Sequence, residues 1–150
     1  MSDPKPERVF CPVCLQRFKF VPGWKEGDSV ICPICGQRLR LEKTPDGWVG
    51  TRPEKGTDLE IRERSEEFAR IRGYMFNEMK EEVLQGLIGK NKRFGEFYCP
   101  CRMMNVPEYQ CPCQPTRAGD VEVNGKCYCG FFWKKGAAPG LVPPSPRAGS

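Results

Sequence analysis

Ten cysteines and no histidine dominate this chain, and their spacing limits what it can fold into. Cys11, Cys14, Cys32 and Cys35 form two CxxC pairs near the N-terminus, and the other six fall into three Cys-x-Cys pairs, Cys99/Cys101, Cys111/Cys113 and Cys127/Cys129. More than sixty cysteine-free residues separate the two groups. A chain of 150 residues has room for one ordinary domain, or for a small domain plus a metal-stapled module; the cysteine map favours the second. A cubane iron–sulfur cluster takes four thiolates, so the six C-terminal cysteines supply one cluster and leave two thiols over. Two spare thiols beside a cluster suggest a redox-active disulfide.

The N-terminal group brackets seventeen residues between Cys11-Pro-Val-Cys14 and Cys32-Pro-Ile-Cys35-Gly36. Each CxxC forms a tight turn whose backbone N–H groups face the sulfurs, and two such knuckles make a tetrahedral four-cysteine site of the zinc-ribbon or rubredoxin type. Residues 17–21 and 37–41 alternate polar and apolar side chains, which predicts short strands. A module over residues 9–42 has too little core to fold without its metal. Its metal is zinc or a rubredoxin-type iron, since four thiolates serve both; the seventeen-residue gap and Leu15, where a rubredoxin knuckle usually carries glycine, favour zinc.

Pro45, Gly47, Gly50, Pro53 and Gly56 mark residues 43–56 as a linker. Thr57-Asp58-Leu59-Glu60 has the capping-box pattern and predicts a helix to about Arg72, stopped by Gly73. A second helix is expected from near Asn77, with Met79, Val83, Leu84, Leu87 and Ile88 on one face and an end at Gly89. The pairs between Tyr98 and Lys135 are strung on turns rich in proline and glycine. Phe131, Phe132 and Trp133 are expected to shield the sulfur site, and residues 136–150, with four prolines, are expected to be disordered.

In Cys99-Pro-Cys101 and Cys111-Pro-Cys113 the proline fixes φ and holds two sulfurs in a rigid relation that presents them to a third party. The order Cys-Pro-Cys-Arg, Cys-Pro-Cys, then Cys-x-Cys followed by Phe resembles the catalytic subunit of ferredoxin:thioredoxin reductase, as does the lead-in from Phe68-Ala69-Arg70 through Gly73-Tyr74 to Asn77 and on to Gly95. The resemblance spans residues 58–135. The N-terminal module is not part of the chloroplast form, and such a fusion suits prokaryotic ferredoxin:disulfide reductases.

By that resemblance Cys99, Cys111, Cys113 and Cys127 match the ligands of a 4Fe–4S cluster, and Cys101 and Cys129 match the catalytic disulfide, Cys101 as the exposed attacking thiol and Cys129 as the thiol held against the cluster. It implies a fold that is mainly α with long loops around the cluster over residues 57–135, beside the small β module. It also implies ferredoxin, or a similar one-electron donor, and a thioredoxin-like protein disulfide as partners. Where the family usually has histidine between the last two cysteines this chain has Tyr128; a phenol with a pKa near 10 donates a hydrogen bond but is a poor proton shuttle at neutral pH.

The competing reading is a non-enzymatic zinc-binding protein, a structural zinc site with two spare thiols included, acting on nucleic acid or a protein complex. The formal charge of +5 invites it, but two loaded metal centres of net −2 each would bring the total to about +1. Base-stacking aromatics are not interleaved with the basic residues, so nucleic acid is disfavoured. The basic run Lys90 to Arg93 is a solvated helix end or a patch that steers an acidic donor. Met1 to Arg8 has no apolar h-region and no run approaches the roughly 18 apolar residues of a membrane helix. The chain is therefore assigned to the cytoplasm, with no membrane partner, where clustered cysteines serve metals or catalysis.

Overall fold

The computed structural model describes residues 7–145; residues 1–6 and 146–150, which include the polar start and the end of the expected tail, lie outside the described residues. Short alternating segments form β1 (Arg8–Phe10), β2 (Arg17–Lys19), β3 (Ser29–Ile31), β4 (Arg38–Thr44) and β5 (Gly47–Thr51), in the order β2-β1-β5-β4-β3. The first CxxC pair lies in the β1–β2 connection and the second in the β3–β4 connection. Strand β5 runs parallel to β1 and antiparallel to β4, so it joins the two hairpins with both cysteine turns at the same end of the sheet. Val9, Phe18, Val30, Leu39 and Leu41 fill one core together with the four cysteines.

The expectation of a mainly α chain is corrected by this sheet: among the described residues the fold is mixed, five strands followed by four α-helices and a short 3-10 turn at Pro107–Tyr109. Residues 43–56, read as a linker, hold the end of β4, the turn at Pro45-Asp46-Gly47 and all of β5. Pro presets one turn dihedral and Gly47, at φ 126°, takes a conformation closed to other residues. These breakers close a hairpin rather than separate two bodies.

Helix α1 (Asp58–Arg72) starts on Thr57, whose hydroxyl accepts the Glu60 N–H at 3.2 Å, and ends on left-handed Gly73. Helix α2 (Lys80–Phe94) begins three residues after Asn77 and passes through Gly89 to Gly95. Gly89 is therefore interior; it lacks the left-handed φ that Gly95 adopts to stop the helix. Short helices α3 (Gln114–Arg117) and α4 (Asp120–Asn124) follow. Ile61, Phe68, Phe76, Leu84, Leu87, Phe97, Val121, Phe131 and Phe132 make a second core.

The start of the expected tail makes contacts with the preceding residues. Phe76 and Val142 exchange backbone hydrogen bonds, each 2.8 Å, and the Ser145 N–H donates to Glu66 at 2.6 Å. Among the described residues no helix is long and apolar enough to cross a membrane.

Candidate metal centres and disulfide site

The two N-terminal turns share one hydrogen-bond pattern. Cys11 N–H donates to Gln16 O and Leu15 N–H to Cys11 O; Cys32 N–H donates to Gln37 O and Gly36 N–H to Cys32 O, all at 2.9 Å. Gly36 takes the required left-handed conformation at φ 85°, and Leu15 takes it at φ 60° against its own Cβ. The four ligand sulfurs lie within 4.8 Å of one another and are buried, with Cys11 to Cys35 at 3.7 Å and Cys14 to Cys32 at 3.8 Å. A tetrahedral ion with metal–sulfur bonds of about 2.3 Å needs sulfurs about 3.8 Å apart, so this group can hold a single metal ion. Burial, then contact with the other sulfurs, pushes the Cys35 thiol well above its ordinary value, and contact with Cys11 and Cys14 raises Cys32; contact with Cys11, Cys32 and Cys35 holds Cys14 low. Four such sulfurs become thiolates together only with a cation among them.

The C-terminal cysteines are arranged differently. Cys99, Cys111, Cys113 and Cys127 are buried, Cys129 is half-buried and Cys101 is exposed. A small cavity of about 10 Å³ is lined by Cys99, Cys111, Cys113, Cys127 and Cys129, with Leu87 and Phe132 among its apolar walls. Among the described residues these sulfurs do not form a second group like that of the N-terminal turns. Four buried thiols facing one cavity could together ligate an iron–sulfur cluster, which takes four thiolates.

Local contacts tune these sulfurs. The Thr116 hydroxyl, itself buried, sits 3.0 Å from the Cys113 sulfur, and the Phe132 N–H donates to the Cys127 sulfur at 3.3 Å. Contact with Cys129, working against burial, brings Cys127 down to about 6 and Cys99 down to about 7. Cys129 moves the other way, raised by Cys127, by Cys99 and by burial, while burial raises Cys101 and Cys111. Cys127 and Cys129 sulfurs are 3.7 Å apart.

On the outer side a groove of about 350 Å³ is lined by Cys101 and Cys129, with Met79, Val83, Lys126 and Trp133 around them. Cys129 and Pro100 border both the cavity and the groove, Cys129 as the cysteine common to the two. Beside it the Arg102 guanidinium lies between the rings of Tyr109 and Tyr128, 4.5 and 4.3 Å from their centroids. Lys90 is not free for steering: it donates to the Arg102 carbonyl at 3.3 Å and to Asn105 Oδ1 at 2.7 Å, which ties the loop after Cys101 to α2. Lys92 and Arg93 remain exposed. Phe131 and Phe132 are buried in the second core, as expected, and Trp133 edges the groove.

Several residues that shape the site carried no motif. Gly86 lies inside α2 where a Cβ would meet the Pro100 Cβ at 2.8 Å, so its lack of a side chain lets Cys99-Pro-Cys101 rest on the helix. Arg52, just after β5, binds Glu60 through two bonds at 2.6 and 2.7 Å and Glu96 through two at 2.8 and 2.9 Å. It thereby clamps the start of α1 to the end of α2.

Compared with known proteins, the chain matches the family model described as ferredoxin thioredoxin reductase catalytic beta chain over residues 52–144. No curated protein matches it. The matched span contains all six C-terminal cysteines and leaves the four-cysteine centre outside.

Proposed function

Because the chain belongs to the ferredoxin thioredoxin reductase catalytic beta chain family, a family of disulfide-reducing oxidoreductases, we propose that it reduces a thioredoxin-like protein disulfide with electrons taken singly from reduced ferredoxin. Cys99, Cys111, Cys113 and Cys127 hold a 4Fe–4S cluster in this reading, and Cys101 and Cys129 form the working disulfide. The four N-terminal cysteines hold zinc as a structural centre, their closed burial leaving no open ligand position. The protein works in the cytoplasm.

The observation that carries the reading is the position of Cys129, which borders both the buried cavity and the open groove that exposes Cys101. When bound, the cluster supplies one electron at a time next to Cys129. The protein's own residues do the sulfur chemistry. Cys101, exposed in the groove, attacks one sulfur of the target disulfide as a thiolate; a new bond joins it to the target and the other target sulfur leaves as a thiolate. Cys129 then attacks the Cys101 sulfur, which closes the Cys101–Cys129 disulfide and frees the second target thiol. Two electrons from the donor and two protons return both cysteines to thiols, so each target disulfide reduced consumes one pair of electrons. Trp133, Met79 and Val83 give the groove apolar walls beside the exchanging sulfurs.

Trapping tests this assignment. Cys129→Ser should accumulate a mixed disulfide with a thioredoxin-like target, Cys101→Ser should accumulate none, and both should retain iron while Cys111→Ser loses it. Equal loss of iron from all three variants would contradict the division of roles.

A further inference from the structure

We propose that Arg64 is a positioning residue that couples the N-terminal four-cysteine centre to the cluster cavity, so that a side chain anchored on one metal knuckle raises the reduction potential at the other centre. The inference rests on the cluster reading given above.

Arg64 lies in the middle of α1 and is 0% exposed. Its Nε donates to Gln37 Oε1 at 2.8 Å and its Nη1 to the Cys111 carbonyl at 2.9 Å. Gln37 closes the second N-terminal knuckle: its carbonyl accepts from Cys32 N–H at 2.9 Å, and its amide nitrogen donates to Glu60 at 3.0 Å. One chain of hydrogen bonds therefore runs from Cys32 through Gln37 and Arg64 to Cys111, buried throughout. The backbone enforces the same closeness, since a Cβ on Gly36 would lie 2.5 Å from Phe68 N and 2.7 Å from Arg64 O. The knuckle rests directly on α1.

The charge balance shows what Arg64 lacks locally. Glu60 is the nearest carboxylate, but Arg52 already engages both its oxygens. Arg64 Nη2 stays 3.6 Å from Glu60 and has no hydrogen-bond partner. A buried cation is costly: burial weighs against the Arg64 charge, and the groups that oppose it are Glu60 first, then Cys35 toward the sheet and, more weakly, Cys111 toward the cavity. A fixed positive charge hydrogen-bonded to the backbone of a ligand favours the more negative, reduced state of whatever that ligand holds. Gln37 fixes where the charge sits, and the four-cysteine centre fixes Gln37.

The test is a redox titration of anaerobically purified wild type, Arg64→Met, Arg64→Lys and Gln37→Leu, each assayed for iron and acid-labile sulfide. With full iron and sulfide, Arg64→Met should reduce the equilibrium constant for one-electron reduction of the cluster at least tenfold, about 59 mV. Arg64→Lys should recover most of that loss, and Gln37→Leu, which leaves the cation in place but unanchored, should show a smaller shift in the same direction. An Arg64→Met constant within twofold of wild type would overturn the proposal. If Arg64→Met does not fold, a Gln37→Leu constant equal to wild type at full iron and sulfide overturns it. Wild type without sulfide would instead remove the cluster reading on which the proposal stands.

Discussion

Two glycines of one helix provide a matched measurement of how the first Cys-Pro-Cys pair is held. Gly86 and Gly89 both lie inside α2, neither has a left-handed φ, and both are half-buried. They differ in what a methyl group would meet: at Gly86 the Pro100 ring at 2.8 and 3.1 Å, at Gly89 nothing within 4 Å. Alanine in place of a helix-interior glycine is worth about 0.8 to 1 kcal/mol from backbone propensity. Gly89→Ala should gain that amount. Gly86→Ala gains the same propensity but overpacks the contact, at a cost of about 1 to 3 kcal/mol. Propensity cancels in the comparison, so the two variants should differ by about 1 to 3 kcal/mol, with Gly86→Ala the less stable. Because the displaced atoms belong to Pro100, between Cys99 and Cys101, Gly86→Ala should also retain less iron. Denaturant midpoints and iron per chain under anaerobic conditions read both effects. Equal midpoints and equal iron in the two variants would refute the claim that α2 seats the cysteine pair by direct contact.

Two further predictions concern charge and hydrogen bonding. Burial would raise the Glu60 carboxyl, but the Arg52 hydrogen bonds, the Arg64 charge and the Gly56 N–H outweigh it and hold it below its ordinary value of about 4.5. Its contribution is therefore fully present above that value and is lost as pH falls through the lower folded-state value. Glu60→Gln should cost about 3 to 5 kcal/mol near neutral pH by leaving buried arginines uncompensated. That deficit should stay constant down to about pH 5 and narrow below it; denaturant midpoints across pH that narrow on the alkaline side instead would refute the assignment. Separately, Thr116→Val removes the hydroxyl 3.0 Å from the Cys113 sulfur. A hydrogen bond of about 0.5 to 1.5 kcal/mol that favours the reduced state corresponds to about 20 to 60 mV, so the variant's cluster potential should fall by that amount while Thr116→Ser keeps the wild-type value; equal potentials in the two variants would exclude the bond.

The cysteines were legible because their chemistry is written in spacing. CxxC turns close on their own backbone, and Cys11, Cys14, Cys32 and Cys35 meet as their pattern implies. The start of α1 was legible for a similar reason, since the Thr57 cap and the Glu60 N–H are three residues apart. What escaped depended on distant partners. Strand β5 was hidden because Gly47-Trp48-Val49-Gly50-Thr51 has weak alternation, and only pairing with β1 and β4 makes it a strand. Gly89 looked like a stop because the sequence does not show whether a glycine takes a left-handed φ. Gly86 gives no local sign that Pro100 arrives against it, and Arg64 is one arginine among 24 basic residues until the fold buries it between two sulfur centres. Within the tail, the pairing of Val142 with Phe76 is likewise something composition does not reveal.

The central claim, that this chain carries a cluster for disulfide reduction beside a separate structural metal, is tested most directly by its metal and sulfide content. Protein purified without oxygen should contain about four irons and about four acid-labile sulfides per chain, together with one zinc. Iron should vanish with Cys111→Ser while zinc remains. Protein that holds zinc alone, with no sulfide, would contradict the account.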